Sequence, residues 1–172
     1  MIIEGSGGMV GHETTERPAP QWIREFLGDD VFDDVVVTAV CMNAGRGEQR
    51  NGGWGEFGDR EAKCLQEVPN LISLSLSNTQ VSDAGLRHIA GLTNLKLLHL
   101  QNTQVSDAGL EHIEGLRNLI FLYLDDTKVS DAGLEQLEKL TNLKMLYLNN
   151  TQVTPEGVKK LQEALPNCEI AY

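Results

Sequence analysis

The strongest constraint on this chain is a repeat of 24 residues that runs from Leu71 to Asn167. Four segments align without gaps, beginning at Leu71, Leu95, Leu119 and Leu143, and the fourth is one residue longer near its end. They share the pattern LxxLxLxxTxV[ST]xxG[LV]xx[LI]. A fixed period of this length indicates a solenoid, in which each repeat is one structural unit that packs against its neighbours.

The spacing of apolar residues within each repeat predicts a strand followed by a helix. Leucines at the fourth and sixth positions alternate with variable residues, which is typical of a short strand with one buried face. Further on, apolar pairs such as Leu86 and Ile89 lie three residues apart, as on the inward side of a helix. We therefore expect stacked columns of buried leucines. These columns are Leu74, Leu98, Leu122 and Leu146, and Leu76, Leu100, Leu124 and Leu148.

Polar and small residues between strand and helix form further columns. The threonine column, which begins at Thr79, offers hydroxyls to the backbone groups of a turn. Thr154 followed by Pro155 indicates a helix N-cap, and the alignment extends this to the other repeats. A glycine three residues later costs about 1 kcal/mol against alanine in a helix, so we expect it to allow close packing against the neighbouring coil. The predicted N-caps are Ser82, Ser106, Ser130 and Thr154, and the glycines are Gly85, Gly109, Gly133 and Gly157.

This pattern resembles the leucine-rich-repeat superfamily, in the class that carries a helix in every repeat. The segment VSDAGL at 81–86 is similar to repeats in bacterial leucine-rich-repeat proteins, in ribonuclease-inhibitor-like proteins and in F-box-associated repeats. The threonine column departs from the family, since many members carry Asn or Cys there. The resemblance covers 71–167. It implies an α/β fold, a right-handed leucine-rich-repeat solenoid with a parallel sheet on its concave face and helices on its convex face.

Caps are expected at both ends, because the terminal repeats of a solenoid would otherwise expose their cores. In the upstream segment, Val37, Val40 and Met42 align with the first three leucines of the repeat pattern at 71, 74 and 76. The predicted divisions are a disordered tail at 1–19, a capping helix at 20–36, a degenerate first repeat at 37–70 with a Gly-rich insertion (Gly45–Asp59), four repeats at 71–167, and a capping strand at 168–172.

The concave face is the predicted binding surface. Parallel strands lie about 4.8 Å apart whereas packed helices need about 8–10 Å, so the array curves with its sheet inside. Strand side chains outside the core then form three columns on this face. They are Ser73, Leu97, Phe121 and Met145; Ser75, His99, Tyr123 and Tyr147; and Ser77, Gln101, Asp125 and Asn149. Aromatic residues make up 5% of the chain, yet three of them lie here.

Exposed aromatic and methionine clusters are typical of protein interfaces. We therefore predict that this face binds a protein or peptide. The alternative is that the stacked rings serve to stabilise the sheet, and both roles are compatible. The predicted partner-binding residues are Leu97, His99, Phe121, Tyr123, Asp125, Met145, Tyr147 and Asn149.

Composition narrows the remaining function classes. A net charge of −11 disfavours nucleic acid and anionic membranes as partners. No signal peptide or transmembrane segment is recognised. The three cysteines form no paired motif, so we expect reduced thiols and a cytoplasmic protein. The cysteines are Cys41, Cys64 and Cys168.

No catalytic triad, phosphate-binding loop or metal motif is apparent, so neither an enzyme nor a cofactor is predicted. His88 and His112 could suggest a metal pair, but they recur because the repeat recurs. The column that begins at Asp83 could suggest a carboxylate cluster, but acidic residues are favoured in the first turn of a helix. Cys41 and His99 are the residues on which an enzymatic role would have to rest. The leading function is a non-enzymatic protein–protein interaction module. A regulatory or targeting subunit of an enzyme is the alternative, by analogy with the family, and self-association stays open.

Overall fold

The computed structural model describes residues 36–38 and 57–172. Within these ranges six strands form one parallel sheet in chain order, and a helical segment precedes each of the last five. The strands are β1 (Val36–Thr38), β2 (Ser73–Ser75), β3 (Leu97–His99), β4 (Phe121–Tyr123), β5 (Met145–Tyr147) and β6 (Glu169–Ala171). The helices are α1 (Asp59–Ala62), which continues into a 3₁₀ helix (Lys63–Glu67), α2 (Asp83–Leu86), α3 (Asp107–Leu110), α4 (Asp131–Leu137) and α5 (Pro155–Ala164). This open array confirms the predicted solenoid.

A ladder of leucines between sheet and helices forms the core. The strand register pairs Leu74 with Leu98, Leu98 with Leu122 and Leu122 with Leu146, and all four are fully buried. The second predicted column is buried in the same way. Burying one leucine side chain contributes about 1.5–3 kcal/mol, so these stacked columns hold successive repeats together.

The first strand has a different register from the predicted one. Val37 pairs with Leu74, and Thr38 with Ser75, whereas the alignment had placed Val40 opposite Leu74. The segment VTAVCM offers apolar residues at several offsets, so alternation alone does not select one pairing. The predicted tail, the capping helix up to residue 35, and Cys41 lie outside the described residues.

The predicted insertion is too long at its C-terminal end. Phe57 is buried in the core and Asp59 begins α1, so both belong to the repeat that precedes β2. They occupy the positions of Val81 and Asp83 one period earlier. The match is hard to see in the sequence because Phe57 and Gly58 stand where the next repeat has Val81 and Ser82.

The cysteines also differ from expectation. Cys64 is disulfide-bonded, while Cys168 is a buried free thiol. Burial raises the pKa of the Cys168 thiol to about 11, which keeps it protonated and unreactive. The expectation of a cytoplasmic protein was based on reduced thiols. The disulfide does not support it, because such bonds persist mainly in oxidising compartments.

Helix length varies with the residue at one position of the repeat, which is 91, 115, 139 and 163 in the four repeats. Gly91 and Gly115 occupy it in the first two full repeats, and their helices α2 and α3 are one turn long. Lys139 replaces glycine in the third repeat, and α4 extends over seven residues. Glu163 and one additional residue in the fourth repeat accompany the ten residues of α5. This agrees with the poor helix propensity of glycine.

Two polar columns shape the turn after each strand. The Thr79 hydroxyl donates to the Leu76 carbonyl at 2.6 Å, and the other three repeats make the same bond, as the threonine column predicted. The residue before each threonine has a positive φ between 53° and 60°. Asn and Asp tolerate this left-handed conformation better than other residues with side chains. They are Asn78, Asn102, Asp126 and Asn150.

An aspartate from each repeat holds the start of the next helix. The Ser106 N–H donates to Oδ1 of Asp83 at 2.7 Å, and the Ser106 hydroxyl donates to Oδ2 at 2.6 Å. We call this pair of bonds the Asp–Ser clasp. It recurs in four successive junctions, with threonine replacing serine in the last. All four predicted residues stand at the N-cap position; the side chains of Ser82, Ser130 and Thr154 accept a hydrogen bond from their helix, whereas that of Ser106 does not.

The glycine column makes room for this clasp. A Cβ atom on Gly109 would lie 2.5 Å from Oδ1 of Asp83, and one on Gly85 would lie 2.6 Å from Oδ1 of Asp59. Both distances are far below van der Waals contact. The predicted close packing is therefore confirmed. The glycine is needed because a side chain there would collide with the carboxylate oxygen of the aspartate from the preceding repeat.

The described part of the chain contains no helix long and apolar enough to cross a membrane.

Candidate functional site

The strand register brings the predicted partner-binding residues together on one face. Leu97 pairs with Phe121, and Phe121 with Met145. Phe121 is 37% exposed, which makes it one of three large apolar residues in the described chain that are open to solvent. Leu97 and Met145 on either side are half-buried. Ser73, at the start of this column, is only 6% exposed and offers little surface.

Three rings stack in the second column, which we call the ring ladder: His99, Tyr123 and Tyr147. The His99 and Tyr123 ring centroids lie 4.3 Å apart with planes inclined by 10°. Tyr123 and Tyr147 lie 4.7 Å apart, inclined by 6°. These distances match the spacing of neighbouring strands, about 4.8 Å. The ring ladder therefore follows from placing a planar side chain at the same strand position in three successive repeats.

Stacking covers the inner ring faces and leaves the ring edges and the outer faces of the two end rings, His99 and Tyr147, uncovered by these contacts. The Tyr123 and Tyr147 hydroxyls form no hydrogen bond with any residue that the structure describes. Both tyrosines are half-buried. An amphipathic edge with an apolar body and a free hydroxyl suits a protein interface.

The third column is polar and internally bonded. Ser77 donates to Oε1 of Gln101 at 2.6 Å, and Nδ1 of His99 lies 3.3 Å from the same oxygen. The Asn149 backbone N–H and side-chain amide both donate to Oδ1 of Asp125, at 3.0 and 2.6 Å. These bonds order the side chains beside the ring ladder.

Sequence reasoning missed two further members of the face. β6 pairs Glu169 with Met145 and Ala171 with Tyr147, so these residues continue the first and second columns by one strand. The 24-residue register would have found them, but the extra residue in the fourth repeat shifted the expected alignment. Cys168 is buried where the leading leucine was expected.

Charge on the face is one-sided. Across the five described strands β2 to β6, the three columns contain the carboxylates Asp125 and Glu169 and no lysine or arginine. Lysines flank these columns at the residue before the strand, as Lys96 and Lys144. The face itself therefore combines an apolar centre with acidic groups toward its C-terminal end.

Other candidate sites are accounted for by local structure. His88 contacts Gln66 at 3.0 Å, and its pKa is lowered by burial and by the nearby Arg87 and Lys63. A groove between α4 and α5 contains Glu135, which forms an ion pair with Lys160 at 2.9 Å. Among the described residues, no group of three or more His, Cys, Asp or Glu side chains is arranged to hold a metal ion.

Comparison with known proteins adds the family context. A family model described as "Leucine Rich repeats (2 copies)" matches residues 69–112 and 117–161, which together exceed half of the chain. No curated protein matches the chain.

Solved structures from two bacteria share the fold. An internalin (inlF) of Listeria monocytogenes has a TM-score of 0.56 and 26% identity, over 63% of this chain and 30% of that one. An internalin C2 (inlC2) of the same organism has a TM-score of 0.55 and 26% identity, over 63% of this chain and 44% of that one. A leucine-rich-repeat protein of Leptospira interrogans, at 24% identity, has a TM-score of 0.51 over 64% of this chain and 27% of that one, and shows the fold alone. The chain spans less than half the length of each.

Proposed function

Because the chain belongs to the leucine-rich-repeat family, we propose that it is a non-enzymatic binding module that takes a protein or peptide partner on its concave face. The fold is typical of protein–protein interaction modules, and solenoids of this kind present extended curved surfaces for binding. The observation that carries the proposal is the apolar and aromatic patch of Phe121, Met145, Tyr123 and Tyr147. It lies where the sheet is open to solvent.

The patch has the composition of an interface centre. Tyrosine, phenylalanine and methionine are enriched at protein interfaces, while lysine and glutamate are depleted from interface centres. Here Phe121 and Met145 are neighbours on adjacent strands, and Tyr123 and Tyr147 flank them. The polar third column then forms one rim, which includes Asp125 and Asn149.

The patch is also ordered before any partner arrives. Stacking restricts the Tyr123 and Tyr147 rings, and the Asp125–Asn149 bonds restrict the rim. Binding to groups that are already ordered loses less side-chain entropy, at about 0.5–1.5 kcal/mol for each side chain that would otherwise be immobilised. This supports a recognition role in addition to the stabilisation that stacking itself gives the sheet.

The test is affinity capture by the full chain, followed by binding measurements with the captured protein in purified form. We expect the double variant Tyr123→Ala with Tyr147→Ala to weaken that binding by more than about tenfold, because buried aromatic anchors dominate interface energies. The control is Glu111→Ala with Lys159→Ala on the helical side, where both side chains are exposed.

Thermal unfolding of both double variants separates binding from folding. The proposal holds if the tyrosine variant stays folded at the assay temperature and loses the partner while the control retains it. Equal affinity of the tyrosine variant and the unmodified chain would overturn it. A captured protein that turns out to be a second copy of this chain would make the face a self-association surface.

A further inference from the structure

The ring ladder ends at a small residue on a strand that could hold another ring. Tyr147 pairs with Ala171 across β5 and β6, so the next position of the second column carries only a methyl group. Strands at about 4.8 Å spacing place a planar group above Ala171 at stacking distance from the outer face of Tyr147. No ring of the described chain occupies that face, and Ala171 is itself partly exposed.

A carboxylate, Glu169, lies in the columns next to this open position, and Lys144 lies outside them, one residue before β5. Glu169 lies two residues before Ala171 on β6, so both side chains point to the same side of the sheet. Glu169 is exposed and forms no ion pair with any residue in the described ranges. Asp125 lies in the third column, two strands away from Glu169. Its carboxylate already accepts hydrogen bonds from Asn149.

We propose that this position binds an arginine side chain of a basic partner segment, with the guanidinium stacked on Tyr147 above Ala171 and paired with Glu169. The inference deepens the proposed function and rests on it. Arginine fits because its guanidinium is planar and cationic, stacks on aromatic faces, and matches a carboxylate with paired N–H donors. Neutral aromatic rings would fit the space but would leave Glu169 without a partner.

The opposite end of the ring ladder offers a matched comparison. The outer face of His99 lies toward Ser75, which is also small. That end has no carboxylate on β2, and His99 is held by Gln101. An imidazole is also a weaker platform for a cation than a tyrosine ring. The structure therefore favours the Tyr147 end for a cation.

The experiment uses N-acetyl-arginine amide as the probe, titrated into the isotopically labelled full chain and followed by nuclear magnetic resonance. We expect shifts concentrated at Tyr147, Glu169 and Ala171, with the arginine side-chain protons moved upfield by the ring. N-acetyl-citrulline amide, which keeps the planar shape without the charge, should bind at least about threefold more weakly because it cannot form the ion pair.

Variants test each contact separately. Ala171→Tyr should fill the position and abolish the local shifts, while Ser75→Tyr fills the other end and should leave them unchanged. Glu169→Gln should weaken probe binding by about two- to fivefold, as expected for an exposed ion pair. Shifts centred on His99, shifts spread over the acidic helical side, or equal binding of the citrulline probe would each overturn the inference.

Partner binding separates this inference from the proposed function. If Tyr123→Ala with Tyr147→Ala abolishes binding of the captured protein but Ala171→Tyr and Glu169→Gln do not change it, only the arginine position is wrong. If none of these variants changes partner binding, the concave face itself is the wrong surface. Reduced binding by Ala171→Tyr and Glu169→Gln, with Ser75→Tyr unchanged, supports both.

Discussion

The helix-side junctions and the concave face repeat with the same 24-residue period but use it in opposite ways. Each junction carries the same Asp–Ser clasp and the same adjacent glycine, from Asp59 to Thr154. The concave columns change at every strand, for example from Ser75 through His99 to Tyr123. Identical geometry is needed where successive repeats join, whereas the strand positions that point outward are free to vary. The difference predicts that substitutions at the junctions lower stability, whereas substitutions on the face change partner binding.

The largest effect is expected from overfilling a junction. Gly109→Ala would place a methyl group against Asp83, Leu86 and Val105, and the bonds to Ser106 prevent the carboxylate from moving away. We expect a loss of about 2–3 kcal/mol in the free energy of unfolding, measured with urea. Gly115→Ala, in the same repeat but with open space around it, should be neutral or stabilising by about 0.5 kcal/mol. Equal effects would show that the glycine column serves another purpose.

Removing one clasp should have a somewhat smaller effect. Asp107→Ala eliminates both bonds to Ser130 and leaves its backbone N–H without that acceptor. The expected loss is about 2 kcal/mol, as for hydrogen bonds to a charged group. Glu111→Ala, on the exposed surface one turn later, should change stability by less than about 0.5 kcal/mol. If a junction variant stayed folded but no longer bound the partner, the assumption that the junctions serve stability alone would be wrong.

The ring ladder is where the two roles overlap. Tyr123 stacks on two rings and Tyr147 on one, so Tyr123→Ala should cost about 1–2 kcal/mol and Tyr147→Ala about half of that. Urea unfolding of the two single variants measures the difference. If the ladder matters only for stability, binding losses should follow these two numbers. If recognition dominates, both variants should lose binding to a similar extent.

The smallest effect is a change with pH at the last junction. Hydrogen bonds from the Thr154 hydroxyl and N–H hold the pKa of Asp131 below its ordinary value of 3.8. A carboxylate with a depressed folded pKa stabilises the protein above the unfolded pKa, and this contribution is lost as pH falls through the folded value. The stability difference between the unmodified chain and Asp131→Asn should therefore be constant down to about pH 4 and decline below it. Urea unfolding over this range measures it, and a difference that stayed constant in stronger acid would contradict the role of the charge.

The sequence was sufficient for features that depend on one repeat alone. The leucine columns, the N-caps from Ser82 to Thr154 and the threonine hydroxyl bonds follow from local pattern and propensity. The columns of the concave face follow from strand alternation. The structure places those residues together, whereas their role in binding stays a prediction.

Features that depend on contacts between two successive repeats were harder to predict. The clasp joins residues 23 positions apart, and the aspartate alone looked like a helix first-turn residue that favours the dipole. The register of β1 failed because its segment lacks the leucine spacing, and β6 was displaced by the extra residue before it. The near-parallel ring planes depend on side-chain rotamers, which periodicity does not specify.

The clasp also has a direction, since each repeat supplies a carboxylate forward and receives one from behind. Any 24-residue unit of the array, such as 95–118, therefore carries both halves of the connection: Ser106 receives the carboxylate of the preceding repeat, and Asp107 supplies one to the following repeat. Inserting another copy would join both neighbours without altering either connection, and would lengthen the sheet by one strand. The number of strands on the concave face can thus grow by duplication, while the side chains on each new strand diversify independently.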